Sequence, residues 1–251
     1  MLTQIVSRQL KLSSEHSQMA HSLHWLDQNI DAFPHYQYAL EEPNGLLAAG
    51  GDLNPQRILN AYSLGIFPWY NPGEPILWWS PDPRSVIYPH EFKPSKSLKK
   101  IIRQNQFTVT FDSCFSSVIG NCALPRKENA GTWIDKSMQN AYSELHRLRY
   151  AHSVECWMNG VLVGGLYGIA LGGAFFGESM FSTQSNASKI AFAALCHQLT
   201  KWGFCLIDCQ VHNPHLESLG AVEISRSEFL TKLNTALLQP NQEHWQFDGF
   251  K

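Results

Sequence analysis

A chain of 251 residues with 44% hydrophobic residues can bury one large core or two unequal ones, which favours one or two domains. The formal charge is only -2, so no global field attracts nucleic acid, and any site for a polyanion must be a local patch. No stretch approaches the roughly 20 apolar residues of a membrane helix, so we expect a cytoplasmic protein without membrane contact. The six cysteines show no CxxC spacing, which favours reduced thiols.

The N-terminal third reads as an extension, a helix and an aromatic connection. Residues 1–30 are polar and weakly patterned, and we assign no role to this extension. A helix follows a Gly-rich loop, with Asn54 as its N-cap, Pro55 at its first position and Gly65 at its end. The next segment, IFPWYNPGEPILWWSPDPR, contains five prolines and therefore cannot be a helix.

This aromatic segment predicts a rigid connection between two units. We therefore predict a small N-terminal domain over residues 1–84 and a second domain over residues 85–251.

A basic helix is predicted from Ser95, in the segment SKSLKKIIRQ. Lys96, Lys99 and Lys100 crowd its positive end, where cations are unfavourable unless an anion lies nearby, and Arg103 follows. The patch is interpreted either as a phosphate site or as a solvated basic face, and the sequence leaves both open.

The second domain is predicted to be α+β. Asp135 begins a helix, after which HSVECWM, VLVGGLYGIA and AFFGESMF read as three antiparallel strands joined by tight turns. The Ala-rich helix in SNASKIAFAALCHQLTKW and the strand FCLIDCQV then imply a parallel crossover. Ser225 and Glu228 have the spacing of a capping box and open a last helix. The sheet should therefore be mixed, antiparallel first and parallel at its end.

Three polar residues interrupt two apolar strands. Strict alternation places Asp208 and Gln210 on the same face as Leu206, opposite Cys209, and places Glu178 between two apolar residues of the preceding strand. Polar groups are costly to desolvate unless they are paired or face a cavity. Each could be a satisfied structural hydrogen bond, but together they predict a site where Glu178, Asp208 and Gln210 converge on an apolar cleft.

Two other chemistries are disfavoured. GESMF resembles the GxSxG nucleophile elbow only loosely and lacks its second glycine, so covalent catalysis is not expected. Cys205, Cys209, His212 and His215 have nearly metal-like spacing, but the strand turns both cysteines away from Asp208 and Pro214 interrupts the histidine pair. We therefore expect no metal.

The order of strand meander, helix and strand is also the layout of the acetyltransferase (GNAT) type of α+β fold. Enzymes of that type that use acyl-CoA hold its pyrophosphate on a glycine-rich loop at the start of the helix. The corresponding segment here, STQSNASK, contains no glycine. Acyl-CoA is therefore an unfavoured donor, and we expect no cofactor.

Eleven segments resemble one known family in the family's own order, over residues from about 34 to 234. They are EPNGLLAAGGDLNPQRILNAYSLGIFPWY, PILWWSPDPR, SKSL, GTWI, AYSELH, AHSVE, LVGGLYG, FFGESMFS, NASK, LIDCQ and SLGA. The chain thereby resembles the leucyl/phenylalanyl-tRNA–protein transferase family. The resemblance implies a small N-terminal domain followed by an acetyltransferase-like domain with a mixed sheet.

The resemblance also implies roles for particular residues. Asp208 and Gln210 would handle the attacking amine, with Glu178 supporting them. The residues that would hold the terminal adenosine of tRNA and shape the site are Trp69, Trp133 and Tyr142. The lining of the amino-acid pocket would be Leu166, Phe175 and Leu195. Position 166 is Leu where Met can occur, which leaves the preference between leucine and phenylalanine open.

The activity implied is transfer of leucine or phenylalanine, and more weakly methionine, from aminoacyl-tRNA to proteins that begin with Arg or Lys. The product would be marked for degradation by the N-degron pathway. An aminoacyl ester is activated, so attack by an amine needs neither ATP nor metal, and we expect a monomer that works without a cofactor. The alternatives are an acyl-CoA-dependent N-acetyltransferase and a catalytically inactive tRNA-binding module.

Overall fold

The computed structural model describes residues 23–30, 32–125 and 132–250. Most of the predicted N-terminal extension, residues 1–22, lies outside the described residues. Across the described ranges, no helix combines the length and the apolar character that crossing a bilayer requires.

The first part of the chain forms a small sheet with one helix. Its elements are β1 (His24–Leu26), a 3₁₀ turn (Tyr36–Tyr38), β2 (Leu46–Gly50), α1 (Pro55–Ser63), β3 (Phe67–Pro68) and β4 (Leu77–Trp79). The strand order is β1-β2-β4-β3, with β1 parallel to β2 and the other neighbours antiparallel. Helix α1 begins as predicted, because the Asn54 side chain accepts a hydrogen bond from Gln56 N and Pro55 occupies the first position.

The rest of the chain builds a larger mixed sheet covered by helices. Its elements are β5 (Arg84–Ile87), a 3₁₀ turn (Pro89–Glu91), α2 (Lys96–Gln104), β6 (Thr108–Phe111), α3 (Phe115–Cys122), α4 (Lys136–Arg147), β7 (Ala151–Met158), β8 (Val161–Leu171), β9 (Ala174–Ser182), α5 (Ala187–Lys201), β10 (Leu206–Gln210), α6 (Pro214–Glu217), β11 (Val222–Ile224) and α7 (Arg226–Ala236). Within the described chain the strand order is β11-β5-β10-β9-β8-β7-β6.

The topology confirms the predicted α+β class. Strands β7, β8 and β9 form an antiparallel meander, and β10 lies parallel to β9 after the crossover through α5. The predicted caps are also present, since Asp135 accepts from Met138 N at 2.8 Å and Ser225 accepts from Glu228 N at 3.2 Å. Strand β5, whose first residue Arg84 was predicted as the end of a connection, pairs antiparallel with β10. Meander, helix and parallel strand follow one another in the acetyltransferase-like order that the sequence predicts.

The two sheets share buried side chains. One apolar cluster joins the small sheet and α1 to α3, α4, α7 and one face of the large sheet. A second cluster fills the other face, under α2 and α5. Strand β5 enters the large sheet at Arg84, next to the predicted domain boundary at residues 84 and 85. That boundary stays a prediction, because the core is continuous across it.

Candidate active site

A cavity of about 670 Å³ lies where residues of the small sheet meet β9 and the end of β10. Seven of the predicted site residues line it: Trp69, Trp133, Leu166, Phe175, Glu178, Leu195 and Gln210. Asp208 and Tyr142 are not among its lining residues. The structure therefore brings most of the predicted site together, and two of the placements need correction.

Strict alternation fails in both strands that carry the polar groups. The β8–β9 ladder pairs Tyr167 with Ser179 and Gly168 with Gly177, so Glu178 is an extra residue in β9. The β10–β5 ladder also shifts its register between Asp208 and Gln210. A bulge of this kind re-aims the side chains beyond it and strengthens the local twist.

In β10 the shift coincides with a left-handed backbone, since φ is +59° at Gln210. Gln210 and Cys209 both line the cavity as a result, whereas Asp208 does not. The prediction that Asp208 and Gln210 share one face is wrong, because the bulge ends the period of two between them.

Asp208 is buried in an ion pair with Arg84. The Arg84 guanidinium donates to both carboxylate oxygens, Nε to Oδ1 at 2.8 Å and Nη2 to Oδ2 at 2.7 Å, and both side chains are inaccessible to solvent. Asp208 Oδ1 also accepts a hydrogen bond from the backbone N–H of Gln210 at 3.0 Å. Removing one partner of such a pair typically costs about 3–5 kcal/mol. Among the described side-chain contacts, Asp208 is therefore linked to the cavity lining by the hydrogen bond from the Gln210 backbone N–H.

The side-chain amide of Gln210 is placed differently. Its Nε2 is buried and has no hydrogen-bond partner among the described residues, although the residue lines the cavity. A buried donor without a partner costs about 1–3 kcal/mol. An amide kept in that state beside a cavity is available to a ligand.

Two buried tyrosines donate hydrogen bonds to the Glu178 carboxyl group. Tyr62 donates to Glu178 Oε1 at 2.6 Å and Tyr142 donates to Oε2 at 2.9 Å, while the two hydroxyl oxygens lie 2.8 Å apart. Burial raises the pKa of Glu178 to about 7, and the neighbouring Asp208 adds to the rise, against the lowering effect of the tyrosine hydrogen bonds. The carboxyl group is thus poised to change its charge near neutral pH.

The tyrosines themselves stay protonated. Burial first, and then the Glu178 charge, raises the pKa of Tyr62 and of Tyr142 well above the ordinary value for a phenol. Tyr142 was expected to shape the site and help hold adenosine. It is fully buried instead and is not among the lining residues of the cavity, so it shapes the site by its hydrogen bond to Glu178.

The apolar part of the cavity is lined by the three residues that were predicted for the amino-acid pocket. Leu166, Phe175 and Leu195 come from β8, β9 and α5 and are at most 3% exposed. Further apolar lining comes from Met180, Phe192 and Ile207. These side chains form the enclosed, apolar side of the cavity.

Two tryptophans form the aromatic part of the cavity. Trp69 follows β3 and is 37% exposed, and its backbone is fixed because Trp69 N donates to Leu77 O at 2.9 Å. Trp79 Nε1 in turn donates to Trp69 O at 2.6 Å. Trp133 is partly buried, precedes α4 and lines the same cavity. A large ring with so much exposed surface is available for stacking.

The basic helix has the predicted start, since Ser95 Oγ accepts from Leu98 N at 3.2 Å. The four cations, Lys96, Lys99, Lys100 and Arg103, are exposed on α2 and are not among the lining residues of the cavity. Both interpretations of this patch remain open. In the described ranges, no group of three or more His, Cys, Asp or Glu side chains has a metal-binding arrangement.

Sequence reasoning missed Arg84 and Tyr62. Arg84 ends the proline-containing segment that predicts a connection, and Tyr62 fits the apolar stripe of α1. Their partners lie 124 and 116 positions away in the chain, so no local pattern could reveal them. A weak signal existed for Arg84, which is the only cation of this aromatic segment, but nothing local pointed to its partner.

Comparisons with known proteins match nearly the whole described chain. A family model described as leucyl/phenylalanyl-tRNA protein transferase matches residues 86–234, and the model of that family's N-terminal domain matches residues 51–82. A Pseudomonas fluorescens (strain SBW25) protein is 58% identical over 89% of this chain and 99% of its own length. A Nitrosomonas europaea protein is 56% identical over 86% of this chain and 92% of its own length.

Both relatives carry the name leucyl/phenylalanyl-tRNA–protein transferase. Among solved structures, a GCN5-related N-acetyltransferase from Kribbella flavida has a TM-score of 0.37 at 11% identity, covering 66% of this chain and 60% of that one, which is a weak likeness. The sequence matches define the class of protein as an aminoacyltransferase. The chain belongs to the leucyl/phenylalanyl-tRNA protein transferase family.

Proposed function

We propose that this chain transfers leucine or phenylalanine, and methionine more weakly, from aminoacyl-tRNA to the N-terminal amine of proteins that begin with Arg or Lys. One observation carries the proposal: a single cavity joins an apolar pocket, two tryptophan rings, the Gln210 amide and the Glu178 carboxyl group. In line with the family resemblance, the modified acceptor would be marked for degradation by the N-degron pathway.

The apolar side of the cavity is the pocket for the transferred amino acid. Leu166, Phe175 and Leu195 offer only carbon surface, and burying a leucine or phenylalanine side chain there contributes about 1.5–3 kcal/mol. Side chains branched at Cβ would strain the walls. A difference of one methylene is worth roughly 1–3 kcal/mol, so methionine should be a poorer substrate that still reacts.

The tryptophans bind the terminal adenosine of the tRNA. Stacking of a base on an aromatic face is worth about 1–3 kcal/mol and does not depend on base sequence. The exposed part of the Trp69 ring supplies such a face, and Trp133 lines the same cavity. Lys96, Lys99, Lys100 and Arg103 on α2 would add phosphate contacts of the kind that also ignore base sequence.

The reaction is attack of the acceptor α-amine on the ester carbonyl carbon. A C–N bond forms, the C–O bond to the ribose oxygen breaks, and the proton lost by the amine ends on that oxygen. An α-amine with a reference pKa near 8 is already partly unprotonated at neutral pH, so positioning dominates. The unpartnered Gln210 Nε2 can stabilise the developing oxyanion, or the Gln210 side chain can hold the amine.

Asp208 acts as a positioning residue for Gln210. Its carboxylate accepts from the Gln210 backbone N–H and is itself fixed by Arg84. This arrangement supports the left-handed backbone at Gln210, which an L residue rarely adopts. The sequence resemblance implied that Asp208 handles the amine, and the buried ion pair favours an indirect form of that role.

Glu178 supplies negative charge at the acceptor side of the cavity. A carboxylate that lines the site favours an acceptor with a cationic side chain, which fits the preference for N-terminal Arg or Lys. Because the pKa of Glu178 lies at about 7, its charge and hence its help to the acceptor should grow as the pH rises through neutrality.

An incorporation assay tests the proposal. Purified protein is incubated with radiolabelled leucyl-tRNA or phenylalanyl-tRNA and a peptide that begins with Arg, with a metal chelator present. We expect label to enter peptides that begin with Arg or Lys, and a matched peptide that begins with Ala to remain unlabelled. Absence of label in all peptides would refute the proposal.

The same assay separates the alternatives. Tight binding of tRNA without transfer would indicate an inactive tRNA-binding module. Modification of the peptide by acetyl-CoA in place of aminoacyl-tRNA would indicate an acetyltransferase.

A further inference from the structure

The C-terminal residues after α7 have no regular secondary structure and pack on the face of the large sheet that α2 and α5 cover. Hydrogen bonds of side chains fix this segment at two points. Asn241 Oδ1 accepts from Gly172 N at 2.8 Å, near the start of this segment. Near its end, the Gln198 side chain donates to Asp248 Oδ2 at 3.1 Å and accepts from Asp248 N at 3.1 Å. Hydrogen bonds on both sides of Trp245 therefore hold this segment in one position.

Trp245 fills the space between these two points. It is 9% exposed, and its ring stacks on His152 with centroids 3.8 Å apart and planes at 10°. The His152 ring is fixed in turn, since its Nδ1 lies 2.7 Å from Asp112 Oδ2 and its Nε2 lies 3.2 Å from Arg149 O. The indole thus rests on a ring that cannot easily turn.

The same indole contacts Phe175, which lines the cavity, while Trp245 itself is not a lining residue. The centroids of the Trp245 and Phe175 rings are 5.9 Å apart, and Phe175 lines the aminoacyl pocket. The Phe175 ring also packs against β8 at Gly168, where a Cβ would come within 2.6 Å of its Cε1 and Cζ atoms. Gly168 pairs with His152 in the ladder between β7 and β8. The stacked rings of Trp245 and His152 and the backbone of Gly168 therefore support Phe175 together.

We propose that Trp245 is a positioning residue that sets the depth of the aminoacyl pocket by holding Phe175 in place. This inference rests on the proposed function. Trp245 touches no substrate itself. Removing its ring leaves a space behind Phe175 into which that ring can retreat, because apolar side chains shift towards an empty cavity. The pocket then deepens, which favours the longer phenylalanyl side chain over the leucyl side chain.

The test compares kcat/KM for phenylalanyl-tRNA and leucyl-tRNA with the same Arg-initiated peptide. In Trp245→Ala we expect the ratio of phenylalanyl to leucyl transfer to rise about tenfold, at the low end of the discrimination that one methylene supports. Trp245→Phe, which keeps an aromatic ring behind Phe175, should retain most of the ratio of the unmodified protein. A general loss of stability would lower both rates alike and leave their ratio unchanged.

Phe247→Ala is the matched control. Phe247 belongs to the same segment and stacks on Phe111 with centroids 5.5 Å apart, and among the described residues its ring pairs are with Phe111, His197 and Phe250 and not with Phe175. Its ratio should stay within about twofold of the unmodified protein, well inside what one methylene can change. If Trp245→Ala does not fold, as shown by circular dichroism, Trp245→Leu takes its place and the same rise decides.

Two outcomes overturn the inference in different ways. An active unmodified protein whose ratio is unchanged in folded Trp245→Ala or Trp245→Leu overturns it alone. An unmodified protein that transfers neither amino acid overturns the proposed function and this inference with it.

Discussion

The carboxylate of Asp208 and the guanidinium of Arg84 form a two-point ion pair that is closed to solvent, although 124 positions separate the residues in the chain. Rings of Phe67 and Phe229 cover the Arg84 guanidinium, with their centroids 4.8 Å and 4.5 Å from its Cζ. The pair joins the first strand of the large sheet after the aromatic segment to the strand that ends at Gln210. The effect of this ion pair on the reaction should therefore be indirect, and suitable variants should separate it from the effect of the pair on stability.

Loss of Asp208 should affect both transfer and stability. For Asp208→Ala we expect kcat to fall about 100-fold, as small misplacements of reacting groups do, with little change in tRNA affinity. Chemical denaturation should show a loss of about 3–5 kcal/mol, because Arg84 is left buried and unpaired.

A double variant separates the two effects. Arg84→Met with Asp208→Leu replaces the buried pair by apolar groups, which is often neutral for stability. We expect its stability to recover while transfer stays low, because Gln210 N still lacks its acceptor. Full activity in this double variant would show that Asp208 does not position Gln210.

Gln210 should matter for rate without contributing to stability. Gln210→Leu removes a buried amide whose Nε2 has no partner among the described residues, so the free energy of unfolding should not fall and can rise by about 1–3 kcal/mol. If the amide stabilises the oxyanion, kcat should fall about 100- to 1000-fold, as for other oxyanion donors. If it holds the amine, KM for the acceptor peptide should rise instead. Steady-state kinetics at several peptide concentrations distinguish these results, and unchanged kinetics would remove Gln210 from the mechanism.

The pKa of Glu178 predicts an opposite pH dependence for stability and for activity. Because burial raises this pKa to about 7, the folded protein holds a proton that the unfolded chain has already released above its ordinary pKa. Stability contributed by the protonated form is therefore present at low pH and is lost as the pH rises towards 7. Relative to Glu178→Gln, the thermal midpoint of the unmodified protein should decline over that interval.

Transfer should show the reverse trend, because the charged carboxylate helps the cationic acceptor. We expect kcat/KM to rise with pH around an apparent pKa of about 7. Glu178→Gln should lower the rate and remove this rise, leaving only the titration of the acceptor amine. An unchanged pH profile in Glu178→Gln would assign the titration to another group.

Trp69 should contribute to tRNA affinity through stacking. Trp69→Ala is expected to weaken binding of leucyl-tRNA by about 1–3 kcal/mol, and Trp69→Phe should retain part of it. Trp25→Ala is the control, because Trp25 is 57% exposed on β1 and does not line the cavity. Filter binding measures both. Equal affinities for Trp69→Ala and Trp25→Ala would contradict an adenosine site at Trp69.

The basic helix is tested by salt dependence. Changing Lys96, Lys99 and Lys100 together to Gln should flatten the slope of log affinity against log salt by about 0.7–0.9 for each phosphate that the variant no longer neutralises. Lys232→Gln serves as a control, since Lys232 already lies 3.5 Å from Glu228 on α7. A slope that stays the same in the triple variant would identify the patch as a solvated basic face.

Local signals in the sequence determined most of the elements. The caps at Asn54, Ser95, Asp135 and Ser225 all hold the first turn of their helices, because a cap depends only on residues two or three positions away. The apolar runs predicted the antiparallel meander and the parallel crossover. Family resemblance, carried by short motifs, pointed to Leu166, Phe175 and Leu195, which line the cavity, and their role as an amino-acid pocket stays a prediction.

Tertiary structure alone decided how the polar residues are used. An extra residue in β9 or β10 is visible only against the partner strand, so alternation predicted a cleft carboxylate at Asp208 where the fold has a buried pair with Arg84. Likewise, Tyr62 and Tyr142 reach Glu178 from helices far along the chain. A sequence encodes hydrogen-bonding capacity and period, but the partner that satisfies a buried charge is chosen by packing, because desolvation is decided by what surrounds the group in three dimensions.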